Sequence, residues 1–416
     1  MSEWKETLLD DVIDIKHGFA FSGENISDVP CENILLTPGN FAIGGGFKSD
    51  KFKYYYGHIP QEFLLGEGDL LITMTDLSKQ SDTLGYPSFV PYSTDKKYLH
   101  NQRLGKVITK DYADVDIRYL HYLLCSQDYR HEILASATGT SIKHTSPERI
   151  KKFRFNKPSL PEQKAIARIL SSLDDKIELN RRMNETLEEM ARAIFKDWFI
   201  DFGPTRAKQA DRAPYLPEPL WSLFPEAIDD ETGLPLGWRS STVEDFMELA
   251  YGKSLPAKNR RPGHVVVYGS GGQTGFHDEA FISSPAVIVG RKGTVGSIYW
   301  EERPIFPIDT VFYVVPKKTS LLFCYQLLLA QPLADMNTDA AVPGLNRNNA
   351  YRLEFPYPSA DLVNAYEVIV SPIWTKRGIN LSEIETLTET RDRLLPKLMS
   401  GEIRVKEAEK RAEEAL

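Results

Sequence analysis

Two stretches of the chain place apolar residues at alternating steps of four and three positions, which is the pattern of one face of a long α-helix. The first contains Ile166, Leu170, Leu173, Ile177, Asn180, Asn184, Leu187, Ala191, Ile194 and Trp198. The second contains Tyr366, Val370, Ile373, Arg377, Asn380, Ile384, Leu387, Arg391, Leu394 and Leu398. A helix this long cannot bury its apolar seam alone, so we predict that the two helices pack on each other. Packing of each helix only on its own globular unit is the alternative.

Two features of these seams allow a more detailed prediction. Asn180 and Asn380 are polar residues at apolar positions, and a paired asparagine fixes the register and orientation of two helices at some cost in stability. Leu187 and Leu387 occupy equivalent places in the two stretches, so both should be buried between the helices.

Outside the helices the pattern changes to short apolar runs separated by glycine-rich turns, which is typical of strands. Buried strands are predicted at residues 69–74, 264–268 and 286–289, and short helices at residues 117–126 and 321–330. Residues 203–237 contain six prolines and are predicted to be a connector that adds nothing to a core.

The same order of elements occurs twice along the chain. Trp4 precedes Gly18 by fourteen positions, and Trp238 precedes Gly252 by the same number. A shift of 200 positions also superimposes ten identical residues: Phe155, Pro158, Ser159, Ala165, Lys176, Asn180, Glu185, Thr186, Leu187 and Glu189. A period this long excludes a solenoid and indicates a duplicated unit of one globular head and one helix. The first head is longer than the second, so the two heads should bind different ligands.

The 416 residues suffice for two buried cores. A net charge of −8 does not by itself indicate a nucleic-acid partner, but residues 143–157 and 253–261 are locally basic. Ordinary solvated surface charge explains these clusters equally well. The three cysteines lack metal-binding or disulfide spacing, and no leader or membrane segment is recognisable, so we expect a cytoplasmic protein without a metal site.

No catalytic motif is present in the sequence, but two glycine-rich turns in the second head carry polar side chains. Tyr268 to His277 surrounds Ser270, Gln273 and Thr274 with glycines, which allow a ligand to approach the backbone closely. Residues 290–296 (GRKGTVG) follow a predicted strand, and an arginine on such a turn can pair with guanine or with phosphate. Two structural glycine turns with a solvated Arg-Lys pair are the alternative.

The chain resembles the specificity subunit of type I restriction–modification systems over essentially its whole length. The resemblance rests on PEQKAIA at 161–167, LDDKIELN at 173–180, AIFKDWF at 193–199, GRKGTVG at 290–296 and RDRLLPKLMSGEI at 391–403. It implies an α+β fold with two pseudo-repeated mixed α/β target-recognition domains separated by two long antiparallel coiled-coil helices. It also implies a non-catalytic subunit that binds double-stranded DNA, two modification subunits and the restriction subunits. AdoMet, ATP and magnesium would then be bound by those partners, and this chain would hold no cofactor.

On this basis the chain divides into a first target-recognition domain (1–157), a first long helix (158–202), a connector (203–237), a second target-recognition domain (238–357), a second long helix (358–400) and a charged tail (401–416). The candidate DNA-binding residues are Lys253, Tyr268, Ser270, Gln273, Thr274, His277, Arg291, Lys292 and Thr294 in the second head and Thr75, Lys79 and Lys143 in the first. A helix of about 40 residues is roughly 60 Å long and would act as a ruler for the unread spacer between two half-sites. A stand-alone enzyme and a scaffold that binds only proteins are the competing interpretations.

Overall fold

A computed structural model describes residues 4–49, 51–76, 78, 82–110, 115–140, 142–283, 285–336 and 344–416. Lys79, one of the candidate DNA-binding residues, lies outside them. The chain forms two compact units: the first comprises Met1–Leu179 and Glu383–Leu416, and the second comprises Asn180–Ser382. Of the helices in the described residues, none combines the length and the apolar character that a membrane span requires.

The globular part of the first unit is built from short strands and helices. Its strands are β1 (Lys5–Leu8), β2 (Ile13–His17), β3 (Ile26–Ser27), β4 (Asn33–Leu35), β5 (Lys53–Tyr55), β6 (Leu64–Leu65), β7 (Leu70–Thr73), β8 (Thr75–Asp76), β9 (Pro87–Phe89), β10 (Lys97–Leu99), β11 (Leu104–Thr109), β12 (Lys143–His144) and β13 (Arg154–Lys157). Its short helices are α1 (Leu9–Val12), α2 (Ile117–Leu123), α3 (Gln127–Ser136) and α4 (Pro147–Ile150). The strand predicted at 69–74 and the helix predicted at 117–126 are confirmed by β7 and α2.

The long helix α5 (Leu160–Phe199) leads into the second unit. The strands there are β14 (Arg239–Thr242), β15 (Met247–Tyr251), β16 (Val265–Gly269), β17 (Gly272–His277), β18 (Ala286–Gly290), β19 (Ile298–Glu301), β20 (Ile305–Pro307), β21 (Val311–Pro316) and β22 (Glu354–Tyr357). The shorter helices are α6 (Gly203–Gln209), α7 (Glu218–Trp221), α8 (Val243–Phe246), α9 (Leu321–Leu329) and α10 (Arg347–Tyr351). The second long helix is α11 (Ala360–Ser400), and α12 (Val405–Glu413) follows it. The predicted strands at 264–268 and 286–289 and the predicted helix at 321–330 are confirmed by β16, β18 and α9.

The duplicated plan predicted from the sequence recurs in the sheets. In the first unit an antiparallel sheet has the order β2-β11-β7-β9, and in the second unit the order is β15-β21-β18-β19. In each unit the first strand also pairs with the strand that precedes the long helix, as β1 with β13 and β14 with β22. The turns after these strands also agree, because Gly85 and Gly296 both have positive φ. The Gly85 amide donates to Thr73, the last residue of β7, and the Gly296 amide donates to Gly290, the last residue of β18, each at 2.9 Å. The fold class is therefore confirmed.

The two long helices pack together in antiparallel orientation. In the first unit the start of α5 and the end of α11 share one core, which contains Ile166, Leu170, Leu173, Ile177, Leu387, Leu394 and Leu398. In the second unit the end of α5 packs on the start of α11, and the Tyr366 hydroxyl donates to the Ala191 carbonyl oxygen at 3.3 Å. These contacts confirm the packing of the helices on each other.

The middle of the seam is polar, and here one sequence-based expectation needs correction. Asn180 and Asn380 are both buried in the seam, and the side-chain amide of Asn380 donates to Asn184 Oδ1 at 2.9 Å. Leu187 is only half-buried, whereas Leu387 is fully buried. Leu187 directly precedes Glu188, whose carboxylate pairs with Arg377 at 2.5 Å, so charged side chains occupy this part of the seam. The remaining seam residues Ile194, Ile373 and Ile384 are also half-buried.

Two segments outside the predicted cores contribute buried side chains. In the proline-rich connector Phe224 is buried in the core of the second unit, which its proline content did not predict. In the charged tail, Ala408 and Ala412 of α12 are buried in the core of the first unit. The charged residues of α12 occupy its other faces, so the tail is an amphipathic helix.

Candidate nucleic-acid interface

The two glycine-rich turns of the second unit lie side by side. They are residues 269–275, which contain the hairpin between β16 and β17, and residues 290–296, which follow β18; we call them the paired glycine turns. Ser297 Oγ donates to the Ser270 carbonyl oxygen at 2.6 Å, and Tyr299 Oη donates to the same oxygen at 3.2 Å. A Cβ atom added to Gly293, whose φ is +85°, would lie 3.3 Å from Ser270 Oγ. The two motifs therefore form a single surface.

The backbone of the second turn is fixed by hydrogen bonds from several elements. The amides of Arg291 and Lys292 both donate to the Thr310 carbonyl oxygen, at 2.9 and 3.1 Å. The Leu345 amide donates to the Arg291 carbonyl oxygen at 2.8 Å, and Gly290 donates to Ser297 at 2.7 Å. Because the backbone is held on both sides, the side chains of this turn project from a rigid base.

The candidate residues of the second unit divide by exposure. Lys253, Gln273, Thr274, Lys292 and Thr294 are exposed, and Ser270 and Arg291 are half-buried. Tyr268 and His277 are buried, at 8 % and 3 % exposure. The Tyr268 hydroxyl donates to Glu301 Oε2 at 2.9 Å, and His277 Nδ1 accepts from the Arg261 amide at 3.1 Å. These two side chains therefore hold the interior of the unit together.

Burial first, and the neighbouring Glu301 carboxylate next, raise the pKa of Tyr268 well above that of a free tyrosine. Glu301 is itself buried, which alone would raise its pKa, but hydrogen bonds from Arg303 and Tyr268 outweigh burial and lower the pKa. At neutral pH Tyr268 is thus protonated and Glu301 is ionised, so the tyrosine hydroxyl can donate a hydrogen bond to the carboxylate.

The basic segment 253–261 lies beside the first turn. Arg260 Nη1 donates to the Thr274 carbonyl oxygen at 2.7 Å, and Lys253 Nζ lies 4.4 Å from the centre of the Phe281 ring. The Arg260 side chain is therefore adjacent to Thr274, which, like Gln273, can hydrogen-bond to base edges or phosphates.

Two further residues of this surface, Tyr251 and Arg347, were not predicted from the sequence. The Arg291 guanidinium carbon lies 4.9 Å from the ring centre of Tyr251, and that of Arg347 lies 4.8 Å from the same ring. The three residues are far apart along the chain, so only the sheet order and the position of α10 bring them together. The two partial clues are that Tyr251 precedes the repeated Gly252 and that Arg347 belongs to an asparagine-rich stretch with the helix-capping residue Asn346.

The first unit has an equivalent turn with different side chains. Strand β8 pairs with β12, so that Lys143 lies opposite Asp76 and His144 opposite Thr75, whose Oγ1 is 3.1 Å from His144 Nδ1. The Thr145 amide donates to Met74 at 3.0 Å, in the same way as Leu345 donates to Arg291. The half-buried Lys143 and the exposed His144 thus lie at the place that corresponds to the Arg-Lys turn. Thr75, a candidate DNA-binding residue, is buried at 7 % exposure.

Asp76 organises this turn of the first unit. Its carboxylate accepts from the amides of Ser78 and Thr83, each at 2.6 Å, and from Thr83 Oγ1 at 2.8 Å. Burial alone would raise the pKa of Asp76, but these hydrogen bonds outweigh burial and lower the pKa below its usual value. Across the described part of the chain, no three His, Cys, Asp or Glu side chains come together as ligands for a metal ion.

Comparison with known proteins gives consistent matches. The family model for the type I restriction modification DNA specificity domain matches residues 1–189. The type I restriction enzyme HindI specificity subunit of Haemophilus influenzae is 28% identical over 359 residues, which cover 68% of this chain and 77% of that protein. The MjaIX specificity subunit of Methanocaldococcus jannaschii is 24% identical, over 74% of this chain and 73% of that protein. The crystal structure of the type I restriction–modification S subunit from M. genitalium has the same fold, with a TM-score of 0.54, 21% identity and coverage of 95% and 96%.

Proposed function

Because the chain belongs to the family of type I restriction–modification specificity subunits, we propose that each of its two units reads one half of an asymmetric, bipartite site in double-stranded DNA. The chain is a non-catalytic DNA-specificity subunit, and the chemistry is performed by its partners. Modification subunits would bind AdoMet and methylate adenine after extruding it from the duplex, and restriction subunits would use ATP and magnesium. These reactions act on DNA in the cytoplasm, which is where we place the protein.

The observation that carries this proposal is the pair of equivalent turns. In the second unit the turn after β18 presents exposed Lys292 and Thr294 beside Gln273. In the first unit the equivalent turn carries the half-buried Lys143 and the exposed His144, while Thr75 is buried. A common backbone with different side chains suits two readers of different sequences, because base edges in the major groove differ in their donors and acceptors.

The long helices would bind the two modification subunits through the faces that point away from the seam. On α11 in the second unit, Val368 is 74% exposed and Ile379 is 55% exposed. They line a shallow surface groove together with Ser371, Pro372 and Thr375. Exposed apolar residues on a helix are typical of a protein-binding face.

The proposal is tested by mapping methylated adenines in a host without other adenine methylases, with this chain co-produced with its modification subunits. We expect one bipartite, asymmetric motif. Lys292→Ala should weaken or relax one half of the motif only, by about 1–3 kcal/mol if the lysine reads a base. Lys318→Ala, which removes an exposed lysine outside the paired glycine turns, is the matched control and should leave the motif unchanged.

Two results would count against the proposal. An assembled complex that leaves no methylated motif would contradict DNA specificity and favour a scaffold that binds only proteins. Methyl transfer from AdoMet or ATP hydrolysis by the purified chain alone, at stoichiometric levels, would favour a stand-alone enzyme.

A further inference from the structure

Two cations share one aromatic ring at the edge of the paired glycine turns. The guanidinium carbons of Arg291 and Arg347 lie 4.9 and 4.8 Å from the ring centre of Tyr251. The ring is 47% exposed, and it packs against the buried ring of Phe312 at 5.0 Å between centres and 62° between planes. We call Tyr251, Arg291 and Arg347 the Tyr251 cluster.

Each member of the cluster comes from a rigid element. Tyr251 ends β15, which pairs with β21 along its whole length, and Arg347 begins α10, whose first turn is capped by the side chain of Asn346. Arg291 is held through its backbone, and its Nη1 also donates to the Asp309 carbonyl oxygen at 3.1 Å. The two guanidinium groups are therefore held at defined positions before any ligand binds.

Arg291 and Arg347 differ from two other arginines of the second unit, whose charges are neutralised by a carboxylate. Arg261 pairs with Asp278 at 2.7 Å, and Arg303 pairs with Glu301 at 2.9 Å. Within the described residues, the contacts of Arg291 and Arg347 are with aromatic rings and a main-chain oxygen, and no carboxylate lies within 4.0 Å of either. Arg347 Nε is moreover buried without a hydrogen-bond partner in this part of the chain.

An aromatic ring attracts cations without neutralising them, so two like charges can be held near each other and still attract an anion. A guanidinium group matches the geometry of phosphate oxygens better than a lysine ammonium does, since it donates two parallel hydrogen bonds. An unpaired buried donor is unfavourable, and an anionic acceptor would remove that cost. The cluster therefore has the chemistry of a phosphate site.

We propose that the Tyr251 cluster clamps a phosphate of the DNA backbone and so fixes the position of the second unit on its half-site. This inference rests on the proposed function. The clamp carries no sequence information, because phosphate contacts position a protein whereas base contacts specify the sequence. Lys292, Gln273 and Thr294 on the paired glycine turns would then face the bases. Tyr251 is a positioning residue that acts through the two arginines.

Among the described residues, the clamp is found in the second unit alone. In the first unit His17, at the end of β2, corresponds to Tyr251. Met74, after β7, corresponds to Arg291, and Pro147, at the start of α4, corresponds to Arg347. Neither Met74 nor Pro147 carries a charge. The two units would therefore be anchored to DNA through different contacts, which suits an asymmetric site.

The test uses the full chain assembled with its modification subunits and a duplex that carries the target found by methylation mapping. Fluorescence anisotropy gives the affinity over a range of about 50 to 300 mM KCl, and the slope of log K against log salt counts the phosphate contacts. Arg347→Gln and Tyr251→Leu should each weaken binding about tenfold and reduce the magnitude of the slope by about one, with an unchanged methylated motif. Tyr251→Phe retains the ring, and Arg239→Gln removes an exposed arginine that lies 4.3 Å from the ring centre of Tyr357, outside the paired glycine turns, so both should bind as the unmodified complex does.

Unchanged affinity and slope in Arg347→Gln would overturn the clamp, and so would a changed base preference in that variant. Circular dichroism melting checks that each variant folds; if Tyr251→Leu does not, Arg347→Gln alone decides. An unmodified complex that binds its duplex no better than a scrambled duplex would refute the proposed function itself. Specific binding by both the unmodified complex and Arg347→Gln, with equal salt slopes, would refute only the clamp.

Discussion

Gly290 marks the point where the backbone of the second unit leaves β18 and enters the turn with Arg291 and Lys292. A Cβ atom there would lie 2.2 Å from the Thr294 carbonyl oxygen and from Ser297 Oγ. Gly290→Ala should therefore destabilise the chain by roughly 1–3 kcal/mol, because backbone atoms must shift to admit a methyl group. Gly271→Ala is the matched control, since its Cβ would meet no atom closer than 3.7 Å. Urea unfolding of both variants measures the difference, and equal midpoints would contradict the steric explanation.

For single residues, the sequence predicted which segment carries the polar side chains but did not predict which of them are exposed. Tyr268 and His277 were grouped with Gln273 and Thr274, although the first two are buried and the last two exposed. The pairing of β16 with β17 shifts register between Val267 and Tyr268, so simple alternation fails along this hairpin. Such an irregularity depends on the partner strand, and neither strand's own residues reveal it. The Tyr251 cluster was missed for a related reason, since three distant elements build it.

Among the elements, the long helices permit a comparison of two equivalent leucines. Leu387 is fully buried in the core of the first unit, so Leu387→Ala should reduce the free energy of unfolding by about 2–5 kcal/mol. Leu187→Ala should cost clearly less, because the half-buried side chain removes less apolar surface from water. Chemical denaturation of the full chain gives both values. Equal losses would mean that Leu187 is more deeply buried than its position beside Arg377 and Glu188 indicates.

The helices were also the elements that the sequence defined best. The predicted limits 158–202 and 358–400 differ by at most three residues from Leu160–Phe199 and Ala360–Ser400, because a heptad pattern repeated over many turns leaves few alternatives. The short strands of the first unit, such as β3 and β6, have two residues each and no periodicity to detect. Their existence follows from pairing with distant strands. The amphipathic α12 was likewise hidden, because its buried face consists of alanines within a highly charged segment.

For the whole molecule, the proposed function assigns the two long helices the task of setting the unread spacer, and their length can be changed. Seven residues added to α5 after Arg181 and seven to α11 after Ser382 keep the heptad pattern, and both sites are exposed. Each helix then gains about 10.5 Å, equivalent to about three base pairs. We expect the mapped motif to keep both half-sites and to gain about three unspecified positions between them. The same seven residues inserted after Arg212, in the exposed part of the connector, should leave the spacer unchanged. A lengthened variant that folds and methylates DNA with the original spacing would show that something other than helix length measures the site.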